Sequence, residues 1–341
     1  VKISQIAQLA GGLLITGICS YFFIKRMDMH QLLINIKSTE IWVVVSVALL
    51  CPVTIWFRSL RWKIILPKRN GTNKKDLFSL VAISFMVNNV LPARIGEAVR
   101  ALLLWKRNKY SVSESIGSLV LERIIDVMAF SSFLFIPAFL IKGISLPFLL
   151  VYLPLFGCIV LLMMFVIYAI FPGFTKRIFA KMGRLLPGRI RSGIEKVVKG
   201  MASNLDWIFS GKKVFYVFIL SYLTVMPYAI MMWLLGMNIN SFGLLHGMFG
   251  VAFSAVGAAI PLAPGYVGTL HEAISRGFAL IGISSNEAGA VAVLYHAIPY
   301  VVVTLMGIIL LFKINVSFKE ISNAKQGLEN NEELAKVNKE G

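Results

Sequence analysis

The chain has 341 residues, 57% of them hydrophobic and only 15% charged, whereas a soluble domain carries about a quarter charged residues. A net charge of +18 would raise the question of nucleic acid in a soluble protein, but here the excess lies in loops between apolar runs, where membrane topology accounts for it. Those runs are continuous rather than alternating, which argues against a β-barrel and leaves an all-α polytopic membrane protein.

The first apolar run, Ile6 to Ile24, is too long for a signal-peptide core and has no convincing small-residue cleavage site after it. Ile18 before Cys19 is a poor fit to lipoprotein processing, so the run reads as a retained first transmembrane helix. Met27–Glu40 mixes aliphatic and polar residues and belongs at an interface. Full-length spans are expected at about 5–24, 41–57, 116–141, 146–171, 214–236 and 288–312. Two further apolar regions, 77–105 and 244–283, are broken by Pro and Gly near their middles. Cys19, Cys51 and Cys158 fall inside apolar runs without metal or disulfide spacing and read as packing residues.

Loop charges set the expected orientation. Arg58, Arg61, Lys63, Lys68, Arg69, Lys74 and Lys75 follow the second span, Lys106, Arg107 and Lys109 follow the first broken region, and loop 172–213 carries ten basic residues against Glu195 and Asp206. All three belong in the cytoplasm by the positive-inside rule, and the nearly uncharged loops 142–145 and 237–243 belong outside. Both termini are then cytoplasmic. Both flanks of 77–105 lie inside and both flanks of 244–283 outside, so each region reads as a re-entrant pair of half-helices, with two tightly packed short spans as the alternative.

The two broken regions share a pattern. Pro92-Ala-Arg-Ile-Gly96 and Pro264-Gly265-Tyr-Val-Gly268 both read Pro-x-x-aliphatic-Gly, and Glu97 and Glu272 follow shortly afterwards. The order of span, broken hairpin and span recurs with opposite direction, so 41–141 and 214–312 are expected to be inverted-topology repeats. The architecture expected is six full spans plus two re-entrant helical hairpins within a transmembrane domain over 1–313. Between the repeats, Phe174–Ser210 carries apolar residues at helical spacing among Arg189, Arg191, Lys196 and Lys199; it is either a basic helix on an anionic leaflet or a connector packed on the protein. The remainder, 314–341, is a polar cytoplasmic tail.

Asn88–Arg100 holds two asparagines, a proline, a glycine, two arginines and a glutamate between apolar runs, a composition that does not suit a lipid-facing helix. Ionisable groups near the bilayer centre cost at least a few kcal/mol each and are kept where they face protein or a polar cavity. Arginine forks pair bidentately with phosphate or carboxylate, so Arg94 and Arg100, with Asn89, are candidates to hold a lipid phosphate, while Glu97 can pair with either arginine. Pro92, Gly96, Pro264, Gly265 and Gly268 are the expected turns. In the helix 116–141, Glu122, Arg123 and Asp126 form either a polar lining or proton-coupling site opposite the first hairpin, or a cluster that only neutralises Arg94 or Arg100. Arg58 and Arg61, before Trp62, read as headgroup anchors. Glu272 would line the polar path; His271 and Glu272, with Tyr295-His296 beyond, are a weak metal or acid–base pattern, and no metal site is expected. Tyr266 and Tyr300 read as packing or interface residues.

Taken together, Arg58-x-x-Arg61-Trp62, Asn89-x-x-Pro92-x-Arg94-x-Gly96-Glu97-x-x-Arg100, Glu122-Arg123-x-x-Asp126 and Pro261-x-x-Pro264-Gly265-x-x-Gly268 resemble the lysylphosphatidylglycerol synthase transmembrane, or flippase-like, family, over about residues 5 to 313. The region resembles the flippase half of the multiple peptide resistance factor, which moves an aminoacylated phospholipid between leaflets. The roughly thirty residues after the last span leave no room for that family's aminoacyl transferase. The resemblance implies a lipid translocase without synthase activity in the cell membrane, acting on a phospholipid or a polyprenyl-phosphate-linked lipid. Expected partners are that lipid, an anionic lipid surface and a separate cytoplasmic synthase or glycosyltransferase. No cofactor and no nucleic acid are expected. No GxxxxGK[ST] motif is present, so transport would draw on a gradient rather than on ATP. Alternatives are an intramembrane enzyme using Glu97, Glu122 or His271 on a lipid-linked substrate, and a membrane anchor for a cytoplasmic lipid-modifying enzyme.

Overall fold

The computed structural model describes residues 3–69, 72–91, 95–108, 110–141, 198–259 and 264–314, with isolated positions between 156 and 195. The expected span 146–171, most of the connector, the tail and, in the first hairpin, Pro92 and Arg94 lie outside the described residues. What is described is helical, without strands: α1 (Ile3–Lys25), α2 (Met29–Lys37), α3 (Ile41–Ile65), α4 (Lys74–Val90), α5 (Gly96–Asn108), α6 (Val112–Leu140), α7 (Gly211–Leu235), α8 (Leu244–Ala259), a 3-10 turn (Pro264–Tyr266), α9 (Thr269–Ala279) and α10 (Ser285–Lys313).

Three helices, α3, α7 and α10, are long and apolar enough to cross a membrane. α3 shows how the sequence divides its faces. Ile41, Val45, Leu49, Val53 and Trp56 are exposed at helical spacing, whereas Val43, Val47, Cys51, Thr54, Arg58 and Trp62 are buried. An apolar outer face with the polar groups turned inward is the arrangement a hydrocarbon solvent demands. α6 is as long as α10, at 29 residues, but Glu122, Arg123 and Asp126 interrupt its apolar character. The described end of the connector packs on the protein: Leu205 is buried with Ile65, Leu121 and Val217, and the Asn204 amide donates to the Glu114 carbonyl at 2.9 Å.

Each broken region holds a pair of helices, α4–α5 and α8–α9, and packing follows a pattern of exchange. Replacing α3 by α7, α4 by α8, α5 by α9 and α6 by α10 carries the pairs α3–α4, α4–α5 and α5–α6 onto α7–α8, α8–α9 and α9–α10. It also carries α4–α10 onto α8–α6, and α3 packs along α7 itself. The exchanged helices match in length: 25 and 25, 17 and 16, 13 and 11, 29 and 29 residues. α1 and α2 stand outside this pattern. They lie on the second half only, α1 against α9 and α2 against α10.

Candidate functional site

The turn between α4 and α5 is tied by Asn88. Its side-chain oxygen accepts from the Gly96 N–H at 2.8 Å, satisfying one of the free amides at the start of α5, and its NH2 donates to Glu97 at 3.1 Å. Gly96 is required by proximity, because a Cβ there would stand 2.0 Å from the Ser84 carbonyl oxygen. Asn89 points the other way, to α10: its NH2 donates to Thr304 Oγ1 at 3.0 Å and to the Tyr300 carbonyl at 3.4 Å, and the Tyr300 hydroxyl returns a bond to the Asn89 carbonyl at 3.2 Å. Gly265 of the second turn packs against this junction, where an added Cβ would lie 3.1 Å from the Asn89 carbonyl oxygen. The two hairpin turns therefore meet at Asn89 and Tyr300.

Beside this junction α3, α5 and α6 assemble a buried ionic network. Arg58 donates to Glu122 at 2.9 Å and to Asp126 at 2.6 Å, and Arg61 to Asp126 at 2.6 Å and to Ser221 at 3.2 Å. Arg100 donates to Glu122 at 2.9 Å and stacks over Trp62 with its guanidinium carbon 3.6 Å from the ring centroid. Arg123 bonds Glu97 and lies 3.8 Å from Asp126. Arg58, Arg61, Arg100, Glu122 and Asp126 are all buried. Among the described residues four arginines face three carboxylates in this network, one positive charge in excess. Nε of Arg61 and Nε of Arg100 are buried without a hydrogen-bond partner among the described residues.

A cavity of about 480 Å³ opens at the centre of the molecule between the two halves. Arg58, Arg123, Asp126, Asn88 and Asn89 supply its charged and amide wall; Tyr228, Tyr295, His296 and Tyr300 supply aromatic and imidazole groups, and most of the remainder is apolar. A second cavity, of about 450 Å³, lies between α5 and α6 and is lined by Ala98, Ala101, Ile116, Leu119, Val120 and Ile124, with Glu97 at its polar edge. Arg123 and Val127 line both. A charged chamber is thus joined at Arg123 to an apolar groove.

The structure distributes the expected site residues unevenly. Asn89, Arg123 and Asp126 line the central cavity. Arg100 and Glu122 do not; they lie behind it as mutual partners, so Arg100 is a member of the network rather than a free fork. Glu97 faces the groove and holds Arg123. Arg58 and Arg61 correct the expectation of headgroup anchoring: they are 4% and 0% exposed, turned inward because the acids of α6 offer stronger partners than lipid headgroups at that depth. Glu272 lies away from the cavity, bonded to Arg276 at 2.6 Å and within 3.5 Å of Arg26. Gly265 and Gly268 hold positive φ of 57° and 80°, which explains glycine at both turns. Pro264 begins the 3-10 turn that contains Gly265. Sequence reasoning missed the separate duties of Asn88 and Asn89 and the packing of Tyr300 against the first hairpin; the adjacent asparagines before a Pro-Gly break were the available signal. It assigned Tyr300 to packing or an interface, and the structure gives its hydroxyl a specific partner.

Comparison with known proteins agrees with the motif resemblance. Residues 9–307 match the family described as lysylphosphatidylglycerol synthase TM region. The chain is 28% identical over 250 residues to a UPF0104 membrane protein of Methanocaldococcus jannaschii, covering 70% of this chain and 99% of the relative. A UPF0104 membrane protein of Methanothermobacter thermautotrophicus is 23% identical over 304 residues, covering 80% and 85%, and a second from M. jannaschii is 24% identical over 332 residues, covering 90% and 93%. The chain belongs to the lysylphosphatidylglycerol synthase TM region family.

Proposed function

We propose that this family member is a lipid translocase of the cell membrane, without enzymatic activity of its own, that moves a phosphate-bearing lipid between leaflets. The observation that carries this reading is that Arg123 and Val127 line both the central cavity, whose charged wall is Arg58, Arg123 and Asp126, and the apolar groove between α5 and α6. A lipid has the same two parts. Its phosphate would compensate the excess charge beside Arg58 and Arg123, and its chains would leave through the groove between α5 and α6. A polar chamber lowers the cost of carrying a headgroup through hydrocarbon, where an unpaired ionisable group costs several kcal/mol.

The exchange pattern of packing supports an inverted-repeat arrangement, with α4–α5 and α8–α9 as re-entrant hairpins entering from opposite sides and both termini cytoplasmic. In that arrangement the groove between α5 and α6 opens toward the cytoplasmic leaflet. Its counterpart between α9 and α10 faces the outer leaflet and is covered by α1 and α2. Opening the second while closing the first would present the same chamber to each leaflet in turn.

The test is translocation of fluorescent phosphatidylglycerol in proteoliposomes, read by accessibility to a membrane-impermeant quencher, with phosphatidylcholine as a second probe. Native mass spectrometry of lipids retained by wild type and by Arg123→Ala accompanies it. The expected result is faster movement than in empty vesicles and retention of an anionic lipid that the variant loses. Movement no faster than in empty vesicles for both probes, together with an unchanged lipid profile, would sink the proposal.

A further inference from the structure

Among the described residues, Glu97, Glu122, Asp126 and Glu272 are each held by arginine. Glu97 bonds Arg123, Glu122 bonds Arg58 and Arg100, Asp126 bonds Arg58 and Arg61, and Glu272 bonds Arg276. The second half contains a different kind of group. His271, the third residue of α9, and His296, midway along α10, bring His271 Nε2 and His296 Nδ1 to 3.0 Å, with their rings edge to face at 4.9 Å between centroids. Two imidazoles at this distance form a donor–acceptor pair, the arrangement in which one proton is shared between them.

We infer that His271 and His296 form the binding site for a proton coupled to lipid movement. The inference rests on the translocase reading, since it supplies the ion whose gradient would drive that movement. At 3.0 Å the facing nitrogens can share one proton, as donor and acceptor. A second proton gives two donors facing one another, which loses the bond and sets two positive charges side by side. That event pushes α9 from α10 at the place where the second hairpin is held.

The surroundings give the pair both a supply and an effect. His296 lines the central cavity, which provides a path for a proton from the chamber. One turn further along α10, Tyr300 packs edge to face with His296 at 5.7 Å and holds the first hairpin through the Asn89 carbonyl. On the opposite side, Phe23 of α1 lies against His271 at 5.2 Å. Movement of the pair is therefore felt by the first hairpin through Tyr300 and by the cover over the outer groove through Phe23. The other titratable or charged groups near it include Glu272 and Arg276 on α9, Arg26 and Cys19 from the α1 segment, Tyr295 and Tyr300 on α10, Tyr266 in the turn, and Arg58, Arg123, Asp126 and Tyr228 across the cavity that His296 lines. α8, which also packs on α9, brings only His246 at its far end. Among these, Glu272 is taken by Arg26 and Arg276.

Two measurements test this. The chain has four histidines, His30, His246, His271 and His296. Solid-state nitrogen NMR of histidine-labelled protein in lipid should show two of them titrating as a coupled pair, and His271→Gln should remove the coupling while leaving His30 and His246 unchanged. Four independent titrations, or two histidines that keep one state from pH 4 to 9, would overturn the site. In proteoliposomes, one unit of pH gradient should drive up to about tenfold asymmetry of fluorescent phosphatidylglycerol per coupled proton, the ratio that one pH unit sets. His271→Gln should lose that asymmetry and retain downhill movement at equal pH. Downhill movement in wild type that ignores the gradient overturns the proton and leaves the translocase standing. No movement under any condition overturns the translocase instead, and the NMR titration then decides the site alone.

Discussion

The two hairpins share a backbone plan and differ in chemistry. The first is stitched by polar side chains: Asn88 satisfies the start of α5, Glu97 holds Arg123, and Arg100 reaches Glu122 behind the cavity. The second turn is built from backbone conformation, with positive φ at Gly265, Tyr266 and Gly268, and α9 starts without a side-chain cap. It also takes a close contact from outside the repeat, where α1 lies so near that a Cβ on Gly268 would stand 2.8 Å from the Thr16 carbonyl oxygen. Internal polar bonds make the first hairpin a fixed wall on which charge can be presented. External packing makes the second a part that can be released by moving one helix. A pair of repeats can thus divide labour, one half binding and the other gating.

The sharpest way to break that comparison is to damage the wall. Asp126→Ala removes the acid shared by Arg58 and Arg61 and leaves two buried guanidinium groups short of a partner. Removing one member of a buried pair costs about 3–5 kcal/mol, so the variant should lose that much stability to denaturation in detergent. A loss under about 1 kcal/mol would mean that water reaches these arginines and that the first hairpin is no fixed wall. The second hairpin should respond differently. Gly268→Ala places a Cβ against α1 at a φ of 80°, a strain of about 1–3 kcal/mol. The simplest relief is displacement of α1, which carries the half-buried free thiol of Cys19. Maleimide labelling of Cys19 should accelerate in this variant and stay at the wild-type rate in Asp126→Ala.

What could be read from the sequence followed the range over which the physics acts. The breaks at 92–96 and 264–268 were legible because proline and glycine act on their own backbone. α6 was legible as a polar helix because Glu122, Arg123 and Asp126 share it. The division of α3 into lipid and protein faces was not, since all but a few of its residues are apolar and burial alone separates them. Arg58 and Arg61 were assigned to headgroups because an arginine at the cytoplasmic end of a span has the same local sequence whether it faces lipid or protein. Their acidic partners lie 64 and 68 residues from Arg58 and 65 from Arg61, on another helix, a pairing that spacing cannot reveal. The cover formed by α1 and α2 was hidden for a similar reason: its contacts join Arg26 to Glu272 and Asp28 to Asn286, across nearly the whole chain.

Smaller changes sharpen the contrast between holding the wall and using it. Asn88→Ala removes the side chain that bonds Gly96 and Glu97 and should cost about 1 kcal/mol, the usual loss for a helix-start partner. Arg123→Ala should cost least. Its side chain is 46% exposed and its bonds to Glu97 and Asp126 are partly solvated or long, so stability should change by less than about 1 kcal/mol. Function should change most, because Arg123 alone among the charged residues lines both the chamber and the groove. The paired measurement is unfolding in detergent beside the retained-lipid profile. An intact fold with the anionic lipid gone places the headgroup at Arg123. Equal losses of stability and lipid would instead make Arg123 one more member of the buried network, and the binding role would pass to Arg58, the other arginine on the chamber wall.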